Sequence, residues 1–238
     1  MFLPIKDYNP TRRLAVVTIV LIAANVLVFI TQSYFTPSLG MSIARTALVP
    51  YEITHFRNVE LPVAEDELGR RLVVVREQPP SLTLFSSLFM HGSWLHLLGN
   101  MLFLWIFGNN IEDRLGHLRY LVFFLLGGAG SSLIHVLFNS DSLVPVVGAS
   151  GAVSAVMGAY LVLFPQARIR TLVFLFIFIT FVDIPAALFL VIWFIYQFVY
   201  AGQSSGIAWL AHVGGFMLGV LLLKLLEKKS QPHVEFIP

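Results

Sequence analysis

The chain contains no cysteine and little charge. Only 12% of its 238 residues are charged, against about 25% in an ordinary soluble domain, whereas 57% are hydrophobic. A soluble fold of this size would have too few polar side chains to cover its surface, so the composition argues against soluble, disordered and fibrous proteins. The lack of cysteine excludes disulfides, thiolate metal ligands and a cysteine nucleophile. The net charge of +2 gives no indication of a nucleic-acid partner.

Long uncharged runs replace the missing polar residues, and a membrane-spanning helix needs about 20 apolar residues. We therefore expect a polytopic, all-α membrane protein with six spans, forming a single domain over residues 1–238. The predicted spans are about 14–35, 94–111, 118–138, 150–164, 185–200 and 207–226. Residues 171–181 are predicted to be a shallow or partly buried lead-in to the fifth span. Residues 36–92 are predicted to form a long outer loop, in which residues 72–75 form a small strand or an interfacial element.

Positive charge predicts the orientation of these spans, because cytoplasmic loops are enriched in lysine and arginine. With the N-terminus in the cytoplasm, most of the 15 basic residues lie inside, and the rest fall in the long outer loop. The inner groups lie within residues 6–13, 114–119, 168–170 and 224–229. We therefore expect a multi-pass protein of a cell membrane, of bacterial or archaeal type, with both termini in the cytoplasm.

Polar residues at membrane depth are costly and are therefore candidates for function. In the second span, His96 and Asn100 are four residues apart and share one helix face. His91 is five residues from His96, about 140° around a helix, which disfavours a zinc-binding pair. We predict no metal and no cofactor. The alternative is that His96 and Asn100 only join helices through hydrogen bonds.

Ser150 begins the fourth span, directly after a loop, within the sequence Gly148-Ala149-Ser150-Gly151. Backbone N–H groups at a helix start lack partners within the helix and point towards a nearby ligand. His212 lies beside a row of small residues in the sixth span, and a second such row runs along the fourth span. Close packing of the two rows would bring the imidazole to the Ser150 hydroxyl. The rows are 211, 215 and 219, and 150, 154 and 158.

Together these residues resemble the rhomboid family of intramembrane serine proteases. The motifs that carry the resemblance are His91-x4-His96-x3-Asn100, Gly108-x3-Glu112-x-Arg114-x-Gly116, Gly148-Ala149-Ser150-Gly151 and Ala211-His212-x2-Gly215. They cover about residues 85–220, in the order and membrane position of the family. Two family features are missing: a Trp-Arg pair in the first outer loop, and a tyrosine at the place of Ser154.

The resemblance implies a six-helix bundle and a role for each matched residue. Ser150 would be the nucleophile and His212 its general base, while His96, Asn100 and the Ser150 backbone N–H would bind the oxyanion. Supporting positions would be His91, Gly148, Gly151 and Gly215, and Glu112 and Arg114 would be structural. The substrates would be transmembrane segments of other proteins that enter sideways from the lipid bilayer, into a site open to the outer side.

No acidic residue lies near the proposed dyad in the second, fourth or sixth span, so we expect packing alone to orient His212. Two other functions stay open at this point. One is a catalytically inactive rhomboid-like protein that binds membrane proteins or serves quality control. The other is a channel or transporter, which intramembrane acids or internal repeats would have favoured.

Overall fold

A computed structural model describes residues 2–65, 71–76, 78–175, 178–201 and 208–227 of the chain. The predicted first residue of the sixth span, Ile207, and the basic residues Lys228 and Lys229 lie outside the described residues. In chain order the elements are β1 (Phe2–Asp7), α1 (Val16–Tyr34), α2 (Leu39–Thr46), α3 (Pro50–His55), β2 (Leu61–Glu65), β3 (Arg71–Val74), α4 (Thr83–Ser86), α5 (Trp94–Leu115), α6 (His117–Phe138), α7 (Ser150–Leu163), β4 (Arg168–Leu175), β5 (Phe178–Pro185), α8 (Ala186–Tyr200) and α9 (Trp209–Leu226).

The six longest helices, α1 and α5 to α9, coincide with the predicted spans to within a few residues. Among the described helices, α1, α6 and α9 are long and apolar enough to cross a membrane on their own. Helices α7 and α8 are apolar but shorter. The chain is therefore a mostly helical membrane protein.

The prediction of an all-α fold is wrong, because β1, β4 and β5 form an antiparallel sheet in the order β1-β4-β5. In the part that the structure describes, residues 171–175 and 178–181, the predicted lead-in belongs to the β4–β5 hairpin. Along β4 the side chains of Ile169, Thr171 and Val173 are all buried, which is the period of two expected for a strand. The hairpin consists mainly of β-branched and aromatic residues, which favour strands. Pro185 ends β5, and helix α8 starts at the next residue.

The segment predicted as a long outer loop, residues 36–92, contains secondary structure. Its helices α2, α3 and α4 accompany a β2–β3 hairpin, and β3 confirms the predicted strand near residues 72–75. A buried ion pair joins Arg76 to Glu52 at 2.7 Å. Arg76 also donates hydrogen bonds to the carbonyl oxygens of Ala44 and Ala47. Burial lowers the pKa of Arg76, and the neighbouring Glu52 carboxylate opposes that shift.

The segment of residues 36–92, named the outer segment after its predicted location, also contacts the loop that leads to α7. Leu48 and Val146 form a two-way backbone pair, with N–O distances of 3.0 Å and 2.7 Å. The N–H of Gly148 donates to the carbonyl of Ser87 at 2.9 Å. Backbone bonds from two parts of the outer segment therefore fix the residues just before Ser150.

Helices α7 and α9 pack closely through small residues, which confirms the predicted contact between the fourth and sixth spans. A Cβ atom added at Gly215 would overlap the carbonyl oxygen of Gly151. One added at Gly219 would overlap the carbonyl oxygen of Ala155. The facing row on α7 thus starts at Gly151, one residue after the predicted start at Ser150.

Polar contacts gather at the end of the bundle where α5 finishes. The Glu112 carboxylate accepts hydrogen bonds from the backbone N–H groups of Val17 and Thr18, both at 2.8 Å, and so caps the first turn of α1. Arg114 donates to the Glu227 carboxylate at 2.6 Å, just after α9. The start of the first long helix and the end of the last one therefore lie on the same side of the molecule.

Candidate active site

The structure brings Ser150 and His212 together. Ser150 is the first residue of α7, and His212 lies in the first turn of α9. The Ser150 hydroxyl is 2.8 Å from Nε2 of His212. The glycine contacts between α7 and α9 allow this distance, because they let the two helix backbones approach closely. Side chains that flank the contact, such as Ser150 and His212, are then near each other.

Glycine is required on both sides of Ser150. Gly148 has φ of +122°, which favours glycine, and an added Cβ would come within 2.7 Å of Nε2 of His96. At Gly151 an added Cβ would overlap the Ser131 hydroxyl of α6. A side chain at position 148 would strain the backbone and crowd His96, and one at position 151 would crowd Ser131, so the two glycines allow the tight turn that presents Ser150.

His96 and Asn100 converge on the loop before the serine. A Cβ atom added at Gly148 would lie 3.6 Å from Nδ2 of Asn100, on the side where it also meets Nε2 of His96. Each of the two side chains can offer an N–H group to an oxygen atom in the space beside Ser150.

His91 supports this arrangement from behind. It is fully buried, and its Nε2 lies 3.0 Å from Nδ2 of Asn100. Burial, assisted by His96, lowers the pKa of His91 to about 4, so the ring is neutral at pH 7 and its Nε2 accepts the hydrogen bond from Asn100. The Gln32 side chain accepts a hydrogen bond from the His91 backbone N–H at 3.1 Å.

These side chains face a cavity of about 1050 Å³. It lies between α5, α6, α7, α8 and α9, at the end of the molecule where α7 and α9 begin. This volume is comparable to that of the larger ligand-binding clefts of proteins, which reach about 1,000 Å³. The cavity lining includes His96, Asn100, His135, Ser150, Trp193 and His212.

The expectation that packing alone orients His212 is wrong, because Gln197 on α8 contacts the imidazole. Oε1 of Gln197 lies 2.8 Å from Nδ1 of His212. The sequence-based prediction missed this residue because it considered only Asp and Glu as partners for the imidazole. The pattern that would have revealed it is a lone amide in the otherwise apolar and aromatic run of α8, since polar residues at membrane depth are functional candidates.

An aromatic ring does lie near His212, although the tyrosine expected in some rhomboids is absent. The ring centroid of Trp193 is 6.0 Å from that of His212, with 38° between the planes. Ser154, at the tyrosine position, donates its hydroxyl to the carbonyl oxygen of Ser150 at 2.6 Å. Helix α8 therefore supplies the aromatic neighbour that α7 lacks.

The fold and the site together define a class: a membrane protein whose serine and histidine meet at the mouth of a helix bundle. The model of the Rhomboid domain family matches residues 79–229, more than half of the chain, and this range includes both Ser150 and His212. The chain therefore belongs to the rhomboid family.

Individual relatives come from several organisms. Rhomboid protein 1, mitochondrial, of Saccharomyces cerevisiae is 27% identical over 205 residues, which is 79% of this chain and 56% of the yeast protein. RHOMBOID-like protein 5 of Arabidopsis thaliana is 30% identical over 59% of this chain and 48% of its own length. Presenilin-associated rhomboid-like protein A, mitochondrial, of Danio rerio is 30% identical over 65% of this chain and 41% of its own length. The chain thus spans about half the length of these relatives.

Proposed function

We propose that the chain is an intramembrane serine endopeptidase that cleaves transmembrane segments of other proteins. The observation that carries the proposal is the 2.8 Å distance between the Ser150 hydroxyl and Nε2 of His212. A serine hydroxyl is a weak nucleophile until an adjacent base accepts its proton. A histidine at hydrogen-bond distance is the commonest group for that task.

The reaction proceeds in two halves. As Oγ of Ser150 bonds to the carbonyl carbon of a peptide, its proton passes to Nε2 of His212 and the carbonyl electron pair moves onto the oxygen. When the C–N bond breaks, the imidazolium gives that proton to the leaving nitrogen. Water then attacks the acyl-enzyme by the same route, with His212 again as the base.

Oxyanion stabilisation falls to His96, Asn100 and the backbone N–H of Ser150. The two side chains converge beside Gly148, and the N–H groups in the first turn of α7 have no partner within the helix. Donors fixed in advance stabilise the negative charge that develops on the carbonyl oxygen. His91, Gly148, Gly151 and Gly215 keep these groups in place.

The proposal includes six membrane spans, with both termini in the cytoplasm and the cavity open to the outer side. The start of α1 and the Arg114–Glu227 contact after α9 lie on the same side of the molecule. This supports the proposal that both termini are on the same side of the membrane. A transmembrane helix hides its carbonyls in internal hydrogen bonds, so a substrate must unwind locally before Ser150 can attack it. Substrates with helix-weakening residues near the cleavage site are therefore favoured.

Labelling with a fluorophosphonate, which reacts with activated serines, tests the proposal. The purified wild-type protein should be labelled and should cleave a membrane-spanning test protein in liposomes. Ser150→Ala and His212→Ala should each abolish both reactions, because nucleophile and base act as a unit.

The matched control is Ser132→Ala, which removes a buried hydroxyl from α6. It should keep both reactions. A wild-type protein that is folded but neither labelled nor active would contradict the proposal and favour an inactive, membrane-protein-binding rhomboid.

A further inference from the structure

Gln197 makes two hydrogen bonds that together fix the direction of its amide group. Nε2 of Gln197 donates to the backbone carbonyl oxygen of Trp193 at 3.0 Å, one turn earlier in α8. A carbonyl oxygen can only accept, so the amide nitrogen must face it. Oε1 is then directed at Nδ1 of His212, 2.8 Å away.

This orientation determines which nitrogen of His212 carries the proton. An amide oxygen is only an acceptor, so Nδ1 must be the donor in this contact. In the neutral imidazole the other nitrogen, Nε2, then has a free lone pair. Nε2 is the atom that lies 2.8 Å from the Ser150 hydroxyl, where a lone pair is needed to receive the proton.

Gln197 is 3% exposed, so it is shielded from the cavity. The described lining of the cavity includes Trp193 but not Gln197. The amide therefore has no route to a substrate and can act on the reaction only through the imidazole.

We propose that Gln197 is a positioning residue that holds His212 in the tautomer with Nδ1 protonated, making the site a Ser-His-Gln arrangement. The inference rests on the proposed protease function for its catalytic meaning, but the tautomer itself is independent of activity. Removal of the acceptor allows the other tautomer, in which Nε2 is protonated and cannot accept the proton from Ser150. The proportion of competent enzyme then falls.

Nitrogen NMR of the full-length protein, labelled with ¹⁵N-histidine, reads the tautomer directly. The His212→Ala spectrum assigns the resonances. In the wild type we expect Nδ1 to show the shift of a protonated nitrogen and Nε2 that of an unprotonated one. In Gln197→Leu we expect averaging between the two forms. A wild-type His212 protonated at Nε2, or a Gln197→Leu spectrum identical to the wild type, would overturn the inference.

Kinetics give a second readout. Gln197→Leu should lower kcat about tenfold and leave KM unchanged, because a neutral hydrogen bond to the base is lost while the cavity keeps its lining. Gln197→Glu should recover most of kcat, since its side chain presents an acceptor oxygen at the same reach. A Gln197→Glu variant that folds but is as slow as Gln197→Leu would argue against positioning.

Ile195→Ala is the control on the same helix. Ile195 is 59% exposed, and truncation of its side chain should leave kcat and the His212 tautomer unchanged. Failure of the protease proposal is distinguishable, because it appears as a wild-type protein without fluorophosphonate labelling. Failure of the positioning proposal appears as normal labelling and turnover in Gln197→Leu with an unaltered tautomer.

Discussion

Asn100 has two amide N–H groups, and the structure leaves one of them for the cavity. Among the described residues, Nδ2 of Asn100 donates a single hydrogen bond, to Nε2 of His91. The second N–H is available to an oxygen beside Gly148. At the scale of single residues, an oxyanion role for Asn100 therefore requires no rearrangement of its partner.

Asn100→Ala should lower kcat by about 10²-fold or somewhat less, because removal of one oxyanion donor costs about 10²–10³-fold and other donors remain. The measurement is kcat on the membrane-spanning substrate, together with fluorophosphonate labelling. Asn25→Ala is the matched control, since Asn25 is also buried, in α1, but bonds only the backbone of Leu21 among the described residues. Unchanged kcat in Asn100→Ala would mean that this residue only joins helices.

At the scale of elements, the contact between α7 and α9 sets the distance within the dyad. Gly215→Ala should reduce turnover about 10²-fold, because the new Cβ must separate the helices, and a displacement of about 1 Å at a catalytic group can cost that much. The measurement is turnover with the thermal midpoint of unfolding.

Gly40→Ala is the control for this prediction. Gly40 lies in the first turn of α2, where the nearest atom to an added Cβ is 3.9 Å away. Its turnover and thermal midpoint should stay at wild-type values. Wild-type turnover in Gly215→Ala would show that the dyad tolerates a wider spacing of α7 and α9.

Element-level prediction from the sequence succeeds where one physical constraint dominates. The length of the uncharged runs predicts the six long helices, and the four-residue spacing of small residues predicts the contact between α7 and α9. The hairpin at 168–185 could not be predicted in this way, because an apolar run of that length satisfies both a buried helix and a strand pair. Its partner β1 lies more than a hundred residues away in the sequence, and local patterns do not indicate such pairing.

Site-level prediction has a similar limit. Motif spacing is enough to predict that Ser150 and His212 meet. It does not predict which of two adjacent helix faces, starting at Ser150 or at Gly151, forms the contact, because both carry small residues. The lone amide marks Gln197 as a candidate, but the sequence does not predict its contact with His212, because that contact depends on the rotation of an almost uniformly apolar helix.

At the scale of the whole molecule, the two ends of the bundle differ in character. At one end, Asp7 of β1 accepts hydrogen bonds from Asn110 and Tyr160 at 2.8 Å and 2.7 Å, so the sheet is tied to α5 and α7. The dyad lies at the other end, next to the outer segment. The helices between the two ends carry mostly apolar side chains, as a lipid environment requires.

The backbone pairs between the outer segment and the loop before α7 have a consequence for the time scale on which that loop opens. The amides of Leu48, Val146 and Gly148 lie outside helices, yet all three are bonded to distant parts of the chain. Such amides exchange with solvent only when the joined segments separate as one cooperative unit. In a deuterium-exchange experiment they should therefore exchange together and slowly. The amide of Val144 has the nearby Ser142 hydroxyl as its single hydrogen-bond partner among the described residues, and it should exchange quickly. Equally fast exchange at all four positions would mean that the backbone bonds between the outer segment and the loop that carries Gly148 open frequently and do not form a cooperative unit.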